Sequence, residues 1–481
     1  MKKWIPIIGS IILIGLVLGR DIPIHGTKDA SKIVDHHVFI DDVGNKIMIH
    51  KIPSRIVSLS TVHTENIYAL EASHHLIGVD KGSHYPARVV DLPRYAMDHE
   101  ADMDKLIKAK PDLVLITPEI NQQYPRVVSK LESNGLWVVS LMPKSVQHFD
   151  YYIQKLAMLI QKEDQANRML KDYHAELNQI KQITSQIKKK KTVFVETSQK
   201  GFWTPAQGSL LFEAIDLAGG INIVKDAKPS IPNQPQVRYG FSHIERNQEV
   251  IDVYFTLQGV RDGGGSIISI NQQDKFRQVK AIREGEVYEL LHPLVNQYTF
   301  RYVKGVRDMA RILYPEVMID ETKVSNDIPL TREVFSHIVY NQRRLQMFTI
   351  TGSDYYDVKK HLHTYGKYLD VTEQDADFDQ IETVSMRGYL LPKRDKTGNE
   401  TFGRHDAVTR SDIAHFIYII KDLTGQKDFK TIKDIKGHNQ ELMINKVVAH
   451  GEMQLMDGYF KPDDPYTVEA LYSLLERLRD F

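Results

Sequence analysis

The sequence predicts an α/β fold: two Rossmann-like lobes joined by a long helix, followed by a mostly α-helical repeat domain. Three observations predict it. From Arg55 onward, short β-branched runs alternate with helical patterns, an alternation that argues for parallel sheets. A stretch free of glycine and proline, Ser145 to about Ile187, separates two such series. Beyond Pro315 the strands fade, and histidine, tyrosine and charge increase.

The elements follow in order. Met1-Lys2-Lys3 is basic and precedes an apolar run from Trp4 to Gly19. Residues 1–26 therefore read as a secretory signal or a retained anchor, either of which places the body outside the cytoplasmic membrane. Residues 27–52 form an N-terminal extension. In the first lobe, 53–143, Arg55 to Leu59, Leu76 to Val79, Leu113 to Ile116 and Trp137 to Leu141 read as buried parallel strands. Helices are expected near Glu65 to Glu71, Met103 to Ala109 and Tyr124 to Asn134, the last stopped by Gly135.

The connector, 144–190, spaces Phe149, Tyr152, Ile153, Leu156, Leu159 and Ile160 as on a helix, and Met169, Leu170, Tyr173, Leu177 and Ile180 continue the pattern. At 1.5 Å per residue one continuous helix would measure roughly 60 Å. The second lobe, 191–315, supplies strands at Thr192 to Glu196, Val250 to Leu257 and Glu286 to Leu290, and helices near Ser209 to Ala218 and Lys304 to Tyr314. Two lobes leave a cleft between them, a preferred place for ligands.

In the tail, 316–481, a weak repeat appears. Leu330-Thr331-Arg332-Glu333, Val408-Thr409-Arg410-Ser411-Asp412 and Tyr466-Thr467-Val468-Glu469 each open an apolar-periodic helix with threonine as N-cap. Val324, Phe402 and Phe460 each lie six positions before the motif.

Composition excludes several classes. With 42% hydrophobic and 26% charged residues among 481, the chain is an ordinary globular protein of more than one domain. Lysine plus arginine and aspartate plus glutamate each number 62, so no global field attracts nucleic acid. The run Lys188 to Lys191 reads as a solvated helix end. There is no cysteine, which removes disulfides, thiolate metal sites and thiol nucleophiles. No Walker loop, nucleophile elbow or HExxH helix occurs, and Gly263-Gly264-Gly265 reads as a flexible surface turn. The adjacent pairs His36-His37 and His74-His75 point in different directions and make no chelate. No catalytic residue, metal or cofactor is expected.

Aromatic and arginine residues near strand ends are the better signal: Tyr85, Phe202, Trp203, Arg238, Tyr239, Tyr298, Arg301 and Tyr302. Aromatic faces stack on a flat or catecholate chelate, and guanidinium groups pair with its anionic oxygens.

Arg55-Ile56-Val57-Ser58-Leu59 is followed by Thr64-Glu65, Gly78-Val79 by Tyr85-Pro86, and then comes Lys110-Pro111-Asp112-Leu113-Val114. The series continues through Thr204 with Gly208-Ser209, Leu217 to Val224, and Ala281 to Tyr288. In these motifs and their order residues 53–315 resemble the periplasmic-binding-protein family that carries ferric siderophores, haem and cobalamin. The resemblance implies a solute-binding component of an ABC importer rather than an enzyme, with a ferric siderophore as favoured ligand and haem or cobalamin as alternatives. It also implies small hinge motions and permease docking through acidic residues, which fall on Glu65 and on Glu213 or Asp216.

The tail resembles S-layer homology repeats, through Asp327-Ile328-Pro329-Leu330-Thr331-Arg332 and Phe460-Lys461-Pro462-Asp463. That resemblance implies a hold on cell-wall polysaccharide, with Thr331, Arg332, Thr409 and Arg410 as the glycan site. Arg332 and Arg410 are expected to project from the first helical turn, where backbone N–H groups and guanidinium donors suit a sugar carboxylate. Val468 and Val334 depart from the motif. A wall-anchored structural or adhesive protein without a transport role is the competing class.

Overall fold

The computed structural model of the protein describes residues 37–225, 229, 234–259, 263–318, 324–348, 365–423 and 432–478. The apolar segment 1–26 and the start of the following extension lie outside the described residues.

The extension ends in an antiparallel hairpin of β1 (His37–Ile40) and β2 (Lys46–Ile49), which the sequence pattern did not reveal. The first lobe is a five-stranded parallel sheet in the order β5-β4-β3-β6-β7, built from β3 (Ile56–Ser58), β4 (Leu76–Asp80), β5 (Arg94–Tyr95), β6 (Leu113–Ile116) and β7 (Trp137–Ser140). The second is a four-stranded parallel sheet, β10-β8-β12-β13, from β8 (Thr192–Glu196), β10 (Ile221–Asn222), β12 (Val253–Gln258) and β13 (Val287–Leu291). A small antiparallel pair, β9 (Trp203–Pro205) and β11 (Gln236–Arg238), extends beyond β8.

Why these runs are strands is visible in their burial. Alternate residues of a strand face opposite sides, and both sides here are covered. Ile56, Leu113, Leu115 and Val139 enter one core, while Val57, Val114, Ile116 and Val138 enter another beside Met103, Leu106, Val128 and Leu131. The second sheet repeats this: Val193, Val195, Val253, Phe255 and Leu257 lie on one side, Phe194 and Tyr254 on the other. The core holding Leu113 and Val193 is one continuous cluster through both lobes, so the lobes share an apolar spine.

The connector departs from expectation. Instead of one long helix it forms two, Phe149–Ile160 and Glu163–Ser185, separated by Gln161 in the left-handed conformation (φ 52°) with Lys162 N–H bonded to the Ala157 carbonyl. Contacts between Gln154 and Asn167 (2.8 Å) and between Asp150 and His174 (2.8 Å) make the pair an antiparallel hairpin. A left-handed non-glycine residue is unfavourable, and the sequence carries no glycine to announce it. Folding back buries Leu156 and Ile160 together with Ala166, Leu170 and Tyr173 in the shared core, which offsets that strain.

The tail packs onto the second lobe through the helix Tyr302–Leu313. Asp308 accepts from Tyr340 Oη (2.8 Å) and Met347 N (3.1 Å), and Arg311 donates to the Tyr340 and Leu345 carbonyls. Lys304 pairs with Asp379 at 2.7 Å. Three tail helices, Arg332–Gln342, Arg410–Ile420 and Val468–Arg477, are capped by Thr331, Thr409 and Thr467. The Val408 N–H bonds the Leu330 carbonyl, and the Tyr466 N–H bonds the Val408 carbonyl, so successive motifs are linked in the same way.

His63 is a fully buried titratable group of the first lobe. Its Nε2 donates to the Ile116 carbonyl (3.1 Å), which leaves Nδ1 to accept from Tyr152 Oη at 2.8 Å. Desolvation holds its pKa down to about 4. The folded state therefore binds fewer protons than the unfolded one; the stability this confers is complete above pH 6.5 and is lost as pH falls toward 4, by about 3 kcal/mol in all. His63→Gln keeps a donor and an acceptor without titrating. Denaturant midpoints measured from pH 7 to pH 4.5 should fall more steeply for the natural protein than for this variant, and parallel curves would refute the assignment.

Candidate functional site

The carboxyl edges of the two parallel sheets meet where Thr61, just after β3, accepts from Gln297, just after β13 (3.3 Å). Next to it Asn66 donates to the Tyr298 carbonyl at 2.9 Å. Open α/β sheets place ligands at such edges, so the candidate site is the cleft these loops border.

On the first lobe, the turn after β4 is shaped by Asp80. Its carboxylate accepts from Gly82 N (2.8 Å) and from the Ser83 hydroxyl, and burial pushes it above the ordinary range. Ser83 Oγ continues to Thr64 Oγ1 (3.1 Å), fixing the turn to the helix Thr61–Ala69 ahead of Tyr85, whose ring meets Arg301.

There the expectation for Arg301 and Glu65 fails. Arg301 Nε and Nη2 donate to the two Glu65 oxygens at 2.9 and 2.7 Å, with both side chains at most 10% exposed. The Tyr85 ring lies 3.5 Å from the guanidinium carbon. Burial pushes the Glu65 carboxyl up and Arg301 opposes that shift. Arg301 is thus not a ligand-reaching arginine, and Glu65 is not a surface carboxylate available for permease docking. Each satisfies the other, because an unpaired buried charge is costly. Tyr302 is also sequestered: it is 1% exposed and donates to the Leu210 carbonyl (3.1 Å). Tyr85 is half-buried and committed to Arg301, while Tyr298 is half-buried beside the shared core.

On the second lobe the aromatic residues divide. Phe202 packs on Phe241 (5.9 Å) and Phe276 (5.7 Å), with Lys275 above its ring, and Tyr239 packs on Phe194 (5.6 Å) while accepting from Asn247. Both are core residues of that lobe. Trp203 on β9 stands opposite Arg238 on β11; Trp203 is half-buried and Arg238 exposed. This pair is the part of the expected set that the structure leaves open to a ligand.

Sequence reasoning missed two groups at this edge. Glu196, the last residue of β8, is 0% exposed; it accepts from Tyr254 Oη (2.5 Å) and Gly265 N (2.6 Å), and burial raises its pKa. This clasp corrects the reading of the glycine run. A Cβ at Gly264 would lie 2.1 Å from Thr256 Oγ1, so residues 264–265 are packed against β12 rather than forming a flexible turn. His292 follows β13 and is held down to about 4 by burial, which keeps the imidazole neutral at pH 7. Nothing in its local pattern, Leu291-His292-Pro293, distinguishes it from a packing residue. Among the described residues no group of three or more His, Asp or Glu is arranged to hold a metal ion.

Of the remaining acidic positions, Glu213 is half-buried and pushed up by burial, with Gln147 bonding its carboxyl, whereas Asp216 is exposed.

The tail arginines likewise point inward. Arg332 is 1% exposed and donates to the Phe402 (2.7 Å) and Leu391 (2.6 Å) carbonyls, reaching Asp412 at 3.4 Å. Arg410 repeats this on Phe460 (2.8 Å) and Gln454 (2.9 Å). Thr331 and Thr409 accept from Val334 N and Asp412 N. All four are engaged in holding the tail together, so the glycan site expected from them is not presented by these side chains.

The described body is a pair of parallel α/β lobes whose carboxyl edges meet at Thr61 and Gln297. Residues 56–293 match the family described as "Periplasmic binding protein". Among relatives, the chain is 24% identical over 326 residues to "Uncharacterized ABC transporter substrate-binding lipoprotein YvrC" of Bacillus subtilis (strain 168), covering 66% of this chain and 99% of the relative. It is 27% identical over 204 residues to a "Vitamin B12-binding protein" of Vibrio cholerae, covering 40% of this chain and 72% of the relative. A solved structure of a possible iron-binding (periplasmic solute-binding) protein from Staphylococcus epidermidis ATCC 12228 aligns at 21% identity and TM-score 0.47, over 55% of this chain and all of that one.

Two outcomes follow from the buried charges. Glu65→Ala strands Arg301 and should cost about 3–5 kcal/mol, whereas the double change Glu65→Ala with Arg301→Met should recover part of the loss. Urea unfolding of both variants checks this; an unaltered midpoint for Glu65→Ala would show the pair to be dispensable. Arg332→Ala leaves two buried carbonyls without donors and should lower tail stability by about 2–4 kcal/mol, seen as earlier hydrogen exchange at residues 390–412.

Proposed function

We propose that this protein is the substrate-binding component of an ABC importer, held outside the cytoplasmic membrane, and that its ligand is a metal chelate of the ferric siderophore, haem or cobalamin class. The match of residues 56–293 to the periplasmic binding protein family carries the reading. It is supported by the relative described as an ABC transporter substrate-binding lipoprotein, which the chain matches over 99% of its length. The ligand class draws on the relative described as a vitamin B12-binding protein and on the chemistry of the open rim. There Trp203 offers a flat apolar face for a macrocycle or catecholate, and Arg238 beside it offers donors for a carboxylate, phosphate or phenolate. Asp216, with Glu213 near it on the helix Leu210–Leu217, is the carboxylate we assign to permease contact in place of Glu65. Exposed rim charges of this kind steer encounter and fix register.

For the tail we propose attachment to cell-wall polysaccharide. Its support is the recurrence of one construction, in which a threonine-capped helix supplies an arginine to the backbone around Phe402 and then around Phe460. The contacting groups lie outside Thr331, Arg332, Thr409 and Arg410. Sedimentation of the full chain with purified wall polysaccharide tests it, and a chain left wholly in the supernatant would reject it.

The import reading has a direct test. Full-length protein is titrated with cyanocobalamin, haemin and a ferric catecholate while tryptophan emission and thermal midpoint are followed. One class should quench emission and raise stability, by about 2.7 kcal/mol at a hundred times Kd. Trp203→Phe should remove most of the quenching while Trp4 and Trp137 remain. If no probe moves either signal, the proposed ligand class is wrong.

A further inference from the structure

The hairpin of β1 and β2 is fastened to the first lobe more firmly than a terminal extension requires. Asp41 accepts from Val43 N (3.1 Å), Asn45 N (2.7 Å) and Ser140 N (3.2 Å), and Asp42 N donates to the Ser140 carbonyl at 2.9 Å. The Asp42 carboxylate accepts from Met142 N (2.9 Å) and from Lys155 Nζ (2.6 Å), the lysine being almost wholly covered.

One face of this platform, carrying Phe39, Ile47 and Ile49, packs into the shared core. The other face is also apolar. The cross-strand partners Val38 and Met48 lie on it next to Ile40, and these three side chains are 51%, 55% and 51% exposed. Lys46, the partner of Ile40, is the charged residue on that face, and no acid accompanies it. A two-stranded ribbon with one buried face ordinarily turns polar residues outward, so this pattern implies a partner.

We propose that the Val38–Ile40–Met48 face rests on the surface of a lipid bilayer. The hairpin is the first described element after the apolar run Trp4–Gly19, and only residues 20–36 intervene. That length of chain reaches at most about 60 Å when fully extended. With the apolar run retained in the bilayer, the tether keeps the face at high effective concentration against it, so a contact too weak to bind alone becomes populated. Three half-exposed side chains fall far short of the roughly 800 Å² per partner that a stable dimer buries, which argues against a second copy as the occupant. Lys46 complements phosphate headgroups. The contact fixes the orientation of the first lobe with respect to the bilayer.

The absence of cysteine makes the test clean. In the full-length chain, Met48→Cys supplies a single thiol for an environment-sensitive bimane label, and Met456→Cys, at a 45% exposed methionine of the tail, supplies the comparison. Both are reconstituted into phosphatidylcholine–phosphatidylglycerol vesicles containing nitroxide-labelled lipid. The label at position 48 is expected to shift to the blue and lose emission to the nitroxide, the label at 456 to keep its emission. Adding Val38→Ser and Ile40→Ser should abolish the difference. Equal emission at the two positions overturns the proposal. A blue-shifted label at 48 before vesicles are added also overturns it, since the face would then be covered by protein.

Discussion

The bidentate pair between Glu65 and Arg301 is the constraint on which the rest of the molecule depends. A guanidinium and a carboxylate removed from water must satisfy each other fully, and here one comes from the first helix of the first lobe and the other from the segment that leaves the second sheet. Their geometry therefore fixes the separation of the two sheet edges at one point. Arg301 stands immediately before the helix Tyr302–Leu313, whose Lys304, Asp308 and Arg311 hold the tail. A displacement of the lobes at this point must be taken up by that helix or by the tail. The apolar core, continuous through both lobes, adds a second tie between them.

The parallel strands were legible in the sequence because each is short, β-branched and buried on both sides, as in Leu113–Ile116 and Thr192–Glu196. The hairpin β1–β2 was not, since its alternation is blurred: Val38, Ile40 and Met48 are apolar on the side that a soluble hairpin would make polar. The connector misled for a different reason. Helical periodicity continues on both sides of Gln161, and a left-handed glutamine leaves no compositional mark. Periodicity reports which face is buried, and two antiparallel helices burying the same face give nearly the same pattern as one long helix.

The candidate site was legible in part, and the errors share a physical cause. Arginine, tyrosine and glutamate near strand ends have the chemistry to meet a ligand, but the same chemistry closes a lobe interface. Tyr85, Arg301 and Glu65 satisfy one another, Tyr302 is spent on the Leu210 carbonyl, and Phe202 and Tyr239 fill the second lobe. Trp203 and Arg238 remain at the rim because the β9–β11 ribbon carries them beyond the main sheet. Glu196 went unnoticed because a carboxylate at the end of a strand looks solvated, whereas its partners, Tyr254 and Gly265, are distant in the chain.

The arginine links of the tail give it a direction. Each guanidinium reaches forward, from Arg332 to the backbone at Phe402 and from Arg410 to the backbone at Phe460, while at the third motif the helix buries Val468 and the series stops. The row does not stay open, because Arg343 at the end of the first of these helices donates to the Leu478 carbonyl at the end of the last (2.9 Å). The three motifs share one apolar core that runs from Leu330 through Phe402 to Val468. The tail is thereby closed on itself, and a load applied at its distal end is met by the first unit as directly as by the last.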